Sequence, residues 1–195
     1  MSISRTVANL YWRISKWNPA TTPAPDQGVV LGAPHTSNWD FILMLVTGWR
    51  MGLKFRWLGK NSMFRPPFAP LMRALGGIPV DRRNPQGLVD DLVRRVESGE
   101  KFLLVITPEG TRSEREYWKS GFYRIARGAD LPVVLGFIDR RNRTAGIGPT
   151  IHLTGDVGAD MDVIRAFYAG KVGVRNKNLV PPRLREEDAP ETNGV

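Results

Sequence analysis

The stretch that decides the fold runs Gly28-Val29-Val30-Leu31-Gly32-Ala33-Pro34-His35-Thr36-Ser37-Asn38-Trp39-Asp40. Its first five residues are apolar or glycine, which is typical of a buried strand. The apolar run 41–49 predicts a helix that begins near Asp40, with Ser37 or Asn38 as its N-cap. His35 and Asp40 therefore lie where a strand leads into a helix, and loops in such places often carry chemistry on a rigid scaffold.

The spacing of His35 and Asp40 decides whether they can meet. Five residues of ideal helix leave them about 140° apart, so a wholly helical stretch would separate them. If the helix begins after a cap, the loop can fold back, and the Asp40 carboxylate can accept the imidazole N–H. This would fix the tautomer and leave the other ring nitrogen as a base. The ordinary alternative is a helix cap beside a surface histidine. The second histidine, His152, lies in an alternating strand-like run.

Composition limits the possible functions. The length of 195 residues suits one domain, and the absence of cysteine excludes disulfides, thiolate metal sites and a cysteine nucleophile. With only two histidines, a zinc site is not expected. The net charge of +9 predicts attraction to polyanions such as nucleic acid, anionic lipid or phosphorylated substrates. We expect no membrane-spanning helix and no secretory signal.

Strand-like and helix-like runs alternate along the chain. This alternation predicts an α/β fold with a mixed, largely parallel sheet flanked by helices. We expect an amphipathic helix and linker over 1–27, a single domain over 28–180 and a flexible tail over 181–195. Predicted strands cover 28–32, 54–60, 78–83, 101–106, 131–138 and, at an edge, 147–153. Predicted helices cover 4–17, 40–51, 66–75, 85–98, 119–127 and 160–169.

The N-terminal helix has two possible interpretations. Its apolar residues recur at helical spacing, at Val7, Leu10, Tyr11, Ile14 and Trp17. The helix could pack on the domain. It could also lie in the membrane interface, with its cations toward anionic lipid.

Three stretches follow predicted strands and should meet at the carboxyl edge of the sheet, where α/β folds bind ligands. They are 35–40, 81–82 and 109–112. Arg82 and Arg112 have forked guanidinium groups suited to phosphate, Glu109 could hold an arginine, and Gly110 allows a tight turn. Lys60 ends a further strand. Because no nucleophile motif is found, a base would have to deprotonate a bound hydroxyl that attacks an activated acyl carbon.

Four blocks in this order resemble the motifs of the glycerolipid acyltransferases, whose best-known members are the lysophosphatidic-acid (1-acylglycerol-3-phosphate) acyltransferases. The blocks are His35-x-x-x-x-Asp40, residues 77–82, residues 108–113 and residues 131–134, and Lys119-x-Gly121 also fits.

The resemblance implies an acyltransferase with acyl-CoA or acyl carrier protein as donor and no bound cofactor or metal. It gives His35 the role of general base and Asp40 that of orienting it. Arg82 and Arg112 would bind the acceptor's phosphate, with Lys60 near it, and Glu109, Gly110 and Thr111 would shape the loop. The resemblance also implies a lysophospholipid-like acceptor and a location on the inner face of the cell membrane.

Three alternatives remain at this point. The same fold could acylate a different lipid or glycolipid hydroxyl. The basic charge could instead serve a non-enzymatic protein that binds nucleic acid or an anionic membrane. The chain could also be a lipid-binding relative without activity, although its His35–Asp40 pair is intact.

Overall fold

A seven-stranded sheet forms the centre of the computed structural model, which describes residues 2–80, 85–110, 116–175 and 180–188. The strands are β1 (Asn18–Thr21), β2 (Gly28–Ala33), β3 (Phe55–Lys60), β4 (Gly77–Val80), β5 (Leu103–Ile106), β6 (Val133–Asp139) and β7 (Thr144–Ile151). The α-helices are α1 (Ile3–Ile14), α2 (Trp39–Met51), α3 (Ala69–Ala74), α4 (Pro85–Glu97), α5 (Gly121–Gly128) and α6 (Val157–Tyr168). Short 3₁₀ helices cover Asn61–Phe64 and Arg185–Asp188.

The strand order is β1-β7-β6-β2-β5-β3-β4, and β6–β7 is the antiparallel pair among otherwise parallel neighbours. The predicted α/β class with a largely parallel sheet is confirmed. β2 is the central strand, and its neighbours β5 and β6 both run parallel to it. The carboxyl ends of β2, β5 and β3 therefore lie side by side at one edge.

Side chains of the central strand alternate between two apolar layers, as a buried strand requires. Val29 and Leu31 pack in a cluster with residues of α4, α5 and α6. Val30 packs on the opposite face, where Phe41 and Met44 of α2 cover the sheet. Because both faces are covered, β2 reads as an unbroken apolar run in the sequence.

The strand found at one edge of the sheet is not the strand that the sequence predicted there. The strand predicted at 147–153 begins earlier, at Thr144, and lies between β6 and β1 rather than at the edge. The edge strand on this side of the sheet is β1, which the sequence analysis placed within the linker that ends at residue 27. Pro19 is tolerated there because an edge strand leaves one row of N–H groups unpaired. A Cβ on Gly146 would lie 2.0 Å from the Ala20 carbonyl oxygen, so glycine allows this close pairing.

Residues 180–188 form a segment, here called the C-terminal strap, that packs on the domain. The expectation of a flexible tail from residue 181 therefore does not hold through 188, and residues 189–195 lie outside the described part. Leu184 is completely buried. The backbone N–H of Trp118 donates to the backbone carbonyl of Arg183 at 2.7 Å, and the Arg165 guanidinium contacts the Glu187 carboxylate at 2.9 Å. Contacts of this kind produce no repeating apolar pattern in so short a segment, so the sequence did not reveal them.

The N-terminal helix packs on the domain with only part of its predicted apolar stripe. Ala8 and Trp12 are buried against α2. Of the predicted stripe, Val7, Leu10 and Ile14 are exposed, whereas Tyr11 and Trp17 are partly buried against the domain. The helix thus contacts the domain and still presents an apolar face outward.

We predict that Leu184→Ala lowers the free energy of unfolding by about 2–4 kcal/mol, because the change leaves a cavity beneath the C-terminal strap. Urea unfolding of the purified variant measures this. The control is Val163→Ala at an exposed position of α6, which should change the value by less than about 0.5 kcal/mol. Equal effects of the two changes would contradict a packed strap.

Candidate active site

A cavity of about 1340 Å³ lies at the carboxyl edge of the sheet. Three neighbouring strands deliver residues to its wall: His35 follows β2, Gly110 follows β5, and Lys60 ends β3. Because neighbouring strands are about 4.8 Å apart, the three strand ends span about 10 Å. Of the predicted stretches, 35–40 and the described start of 109–112 therefore meet at this cavity, and 81–82 lies outside the described residues.

The imidazole of His35 and the carboxylate of Asp40 lie within contact distance of each other. The His35 Nδ1 lies 3.1 Å from Asp40 Oδ2, with the imidazole one-fifth exposed and the carboxylate buried. At this distance a protonated Nδ1 can donate to the carboxylate, an arrangement that leaves the lone pair on Nε2. Both residues line the cavity. The loop folds back from the start of α2, as the sequence analysis required for a catalytic interpretation.

The position of Asp40 is fixed by the backbone of its own loop. Its Oδ2 accepts the N–H groups of Thr36 and Ser37, each at 2.7 Å. Asp40 lies in the first turn of α2, where the helix dipole stabilises negative charge. Its Oδ1 is buried and has no hydrogen-bond partner among the described residues. All of the donors that orient the carboxylate therefore converge on one oxygen.

Glu109 supports the loop from the next strand. Both of its carboxylate oxygens accept the backbone N–H of His35, each at 3.1 Å. This contact joins the end of β5 to the end of β2. The sequence analysis expected Glu109 to hold an arginine and shape its own loop; this bond to His35 was missed, because a backbone donor leaves no pattern in the sequence.

The buried Tyr168 lies behind the same loops. Burial, and secondarily the negative charge of Glu109, raise the pKa of Tyr168 well above its ordinary value. The phenol thus stays protonated and donates to the Gly136 carbonyl at 2.8 Å. α6 is in this way tied to the central part of the sheet.

Gly110 has a left-handed backbone, with φ of 67°. A Cβ there would lie 2.7 Å from Lys119 Cε and 3.3 Å from its Nζ. The Lys119 backbone N–H donates to the Pro108 carbonyl at 2.8 Å. The glycine therefore allows a lysine side chain to lie against the turn, which adds a cation to the cavity wall.

The structure places five of the eight predicted site residues together. His35, Asp40, Lys60 and Gly110 line the cavity, and Glu109 contacts His35. The other three, Arg82, Thr111 and Arg112, lie outside the described residues, and their roles remain predictions.

Beneath α2 the cavity is apolar. Its lining there includes Val30, Phe41, Met44, Trp57, Val105 and Ile147. On the side of α5 the lining is polar and includes Tyr117, Arg124, Arg185 and Glu186. Two of these polar residues come from the C-terminal strap, which sequence analysis did not assign to the site because it carries no motif.

Metal binding has no visible basis in the described ranges, which contain no cluster of three or more His, Asp or Glu side chains that could hold an ion. The chemistry available at this edge is that of a histidine in contact with a carboxylate, beside a cavity with apolar walls and several cations.

These features define an α/β enzyme whose candidate base follows the central strand of a parallel sheet. A family model named Acyltransferase matches residues 14–135, which is more than half of the chain. The chain therefore belongs to the acyltransferase family, as its motifs indicated.

A solved structure with a similar fold is the 1-acyl-sn-glycerophosphate (LPA) acyltransferase PlsC from Thermotoga maritima. It is 15% identical in sequence, with a TM-score of 0.53 over 78% of this chain and 68% of that one. This similarity shows a shared fold. No curated protein sequence matches the chain.

We predict that Glu109→Ala lowers kcat by about tenfold to a hundredfold with a smaller change in KM for the acceptor. A hydrogen bond to a charged group contributes about 1.5–3 kcal/mol, and each 1.36 kcal/mol is tenfold in rate. Steady-state kinetics measure the two constants. Glu100→Ala, which removes a partly exposed carboxylate paired with Arg56 and Arg95, is the control. A change in KM alone would assign Glu109 to substrate binding instead.

Proposed function

We propose that the protein is an O-acyltransferase that moves a fatty acyl group from acyl-CoA or acyl carrier protein to a hydroxyl of a lysophospholipid-like acceptor. The foremost acceptor is 1-acylglycerol-3-phosphate. The single observation that carries the proposal is the contact of 3.1 Å between His35 Nδ1 and Asp40 Oδ2 beside a cavity with an apolar arm. Family membership supports the acyl-transfer chemistry.

In the proposed mechanism, His35 Nε2 accepts the proton of the acceptor hydroxyl as its oxygen attacks the thioester carbonyl. Asp40 stabilises the imidazolium that forms. The tetrahedral intermediate then collapses, the carbon–sulfur bond breaks, and the leaving thiolate takes the proton from the imidazolium. An ester and a free thiol are the products, and the imidazole returns to its starting state.

Substrate binding is proposed to follow the polarity of the cavity. The apolar arm beneath α2 suits an acyl chain, since such a chain gains about 0.8 kcal/mol per buried methylene. Lys60, Arg82 and Arg112 would bind the acceptor's phosphate, because guanidinium groups pair with phosphate oxygens through two hydrogen bonds. Gly110 and Thr111 would shape the phosphate loop, while Glu109 holds the base.

The test is product analysis by mass, with purified protein, labelled acyl-CoA or acyl carrier protein and a panel of lysolipids and glycolipids. We predict that His35→Ala lowers turnover by about 10²–10⁴, the scale of a lost general base. The control is His152→Ala, which removes the other, exposed histidine and should leave the rate unchanged. Turnover by His35→Ala near the wild-type rate would overturn the mechanism, and acylation of a neutral acceptor alone would overturn the phosphate assignment.

We further propose that the enzyme works on an anionic membrane surface, at the inner face of the cell membrane. No described helix is long and apolar enough to cross a bilayer. The outward face of α1 exposes Ile3 by 84%, Leu10 by 58% and Ile14 by 67%. Exposed apolar groups of this size at helical spacing suit the membrane interface.

A second exposed apolar surface is formed by the part of the chain that connects β3 to β4. Phe68 is 63% exposed and Leu71 is 53% exposed, and Arg65 and Arg73 are exposed beside them. The stretch from Lys60 to Val80 contains no acidic residue. Trp39 and Met63 are also exposed and line the cavity. Apolar and basic groups thus occur together near the cavity, which supports access to a lipid acceptor from the membrane.

We predict that the pair of changes Leu10→Ser and Ile14→Ser lowers binding to phosphatidylglycerol vesicles by about tenfold or more, because apolar contact is lost. Added salt should weaken the binding, and phosphatidylcholine vesicles should bind less. Co-sedimentation measures these effects, with the exposed α6 change Val163→Ser as control. Stronger binding to oligonucleotides than to anionic vesicles would favour a nucleic-acid partner instead.

A further inference from the structure

Residues 171–175 pack against the loop that carries the candidate base. They follow α6 and lie beyond residue 135, where the family model ends. The Arg175 N–H donates to Thr36 Oγ1 at 3.0 Å. A Cβ on Gly173 would lie 2.4 Å from Thr36 Cγ2, 2.5 Å from its Oγ1 and 3.0 Å from its Cβ. The backbone of Gly173 therefore lies directly against the Thr36 side chain.

Thr36 connects this segment to the pair of site residues. It follows His35 in the chain, it is 2% exposed, and its N–H donates to Asp40 Oδ2 at 2.7 Å. One side of Thr36 thus contacts the carboxylate that orients the imidazole, and the other side contacts residues 173–175. A displaced Thr36 would move both ends of the His35–Asp40 bond.

The segment itself is firmly held. The Arg140 N–H donates to the Val172 carbonyl at 2.8 Å, which ties the segment to the turn after β6. Val174 packs in the apolar cluster shared by α1 and α2. Because both sides of the segment are fixed, a group added at Gly173 has to be accommodated by Thr36.

We propose that Gly173 and the Arg175 backbone N–H are positioning groups for His35 that act through Thr36. The inference rests on the proposed function for its effect on rate, since a misplacement of about 1 Å at a reacting group can cost about a hundredfold in rate. Gly173 is required there for space. Its φ lies outside the left-handed region, so alanine introduces a contact and no backbone strain.

The first test is a kinetic double-mutant cycle with Gly173→Ala and Thr36→Ala. We expect Gly173→Ala to lower kcat about tenfold or more while KM for the acceptor changes less than about threefold. In the double variant, Thr36→Ala removes the two closest atoms, so kcat should return to that of Thr36→Ala alone. The control is Gly158→Ala in α6, where the nearest atom to a Cβ lies at 3.4 Å. An unchanged kcat in Gly173→Ala, or additive losses in the double variant, would overturn the proposal.

The second test does not depend on activity. The chain has two histidines, so ¹⁵N spectra of the imidazoles resolve His35 and His152 as separate signals. We expect Gly173→Ala to reduce the Nδ1–H tautomer of His35 and leave the His152 signals unchanged. Thr36→Val, which keeps the shape but removes the acceptor for the Arg175 N–H, should change the His35 signals in the same direction and serves if Gly173→Ala fails to fold.

The two tests separate this proposal from the proposed function. If wild-type protein shows no acyl transfer but Gly173→Ala changes the His35 tautomer, the positioning stands and the proposed reaction falls. Unchanged His35 signals in both Gly173→Ala and Thr36→Val overturn the positioning, whatever the activity.

Discussion

One carboxylate oxygen, Oδ2 of Asp40, is the acceptor on which the geometry of the site depends. It lies 3.1 Å from His35 Nδ1 and accepts two backbone N–H groups at 2.7 Å. The three contacting nitrogens belong to residues 35–37, so this loop surrounds the Asp40 carboxylate at the start of α2. A short loop that satisfies a buried carboxylate in this way has little freedom to reorient its histidine. The contacts of Asp40 Oδ2 therefore fix both the position where α2 begins and the orientation of the His35 imidazole.

Supports for this loop come from two distant parts of the chain. Glu109, at the end of β5, accepts the His35 N–H, while Arg175, after α6, donates to Thr36. The first support belongs to a sequence motif and the second does not. A block that matches the family's motifs thus supports one side of the loop, and a segment without any motif supports the other.

Much of the sheet could be predicted from the sequence because buried parallel strands give continuous apolar runs. β2, β5 and β6 were located in this way, and the helices α2, α4 and α6 were located from apolar spacing and stop signals. The meeting of His35 with the end of β5 also followed, because parallel strands place their carboxyl ends together. These inferences depend on local patterns or on the topology of the α/β class.

Other features depend on contacts between distant residues, which local patterns do not contain. β1 was missed because Pro19 and its neighbours read as a linker, and only pairing with β7 makes them a strand. The sequence did not indicate which face of α1 packs on the domain, because the two buried residues, Ala8 and Trp12, are outnumbered by the apolar residues that remain exposed. The C-terminal strap was read as a tail because one buried leucine, Leu184, has no periodicity.

The pairing of β1 with β7 has a consequence for how the chain is made. Thr21 pairs with Ile147, so the strand next to the N-terminal helix finds its partner only after most of the polypeptide has left the ribosome. Closing such a long loop is slow compared with forming a local helix. During synthesis, β1 therefore emerges long before the strand that pairs with it, whereas α2, against which Ala8 and Trp12 of α1 pack, is made early.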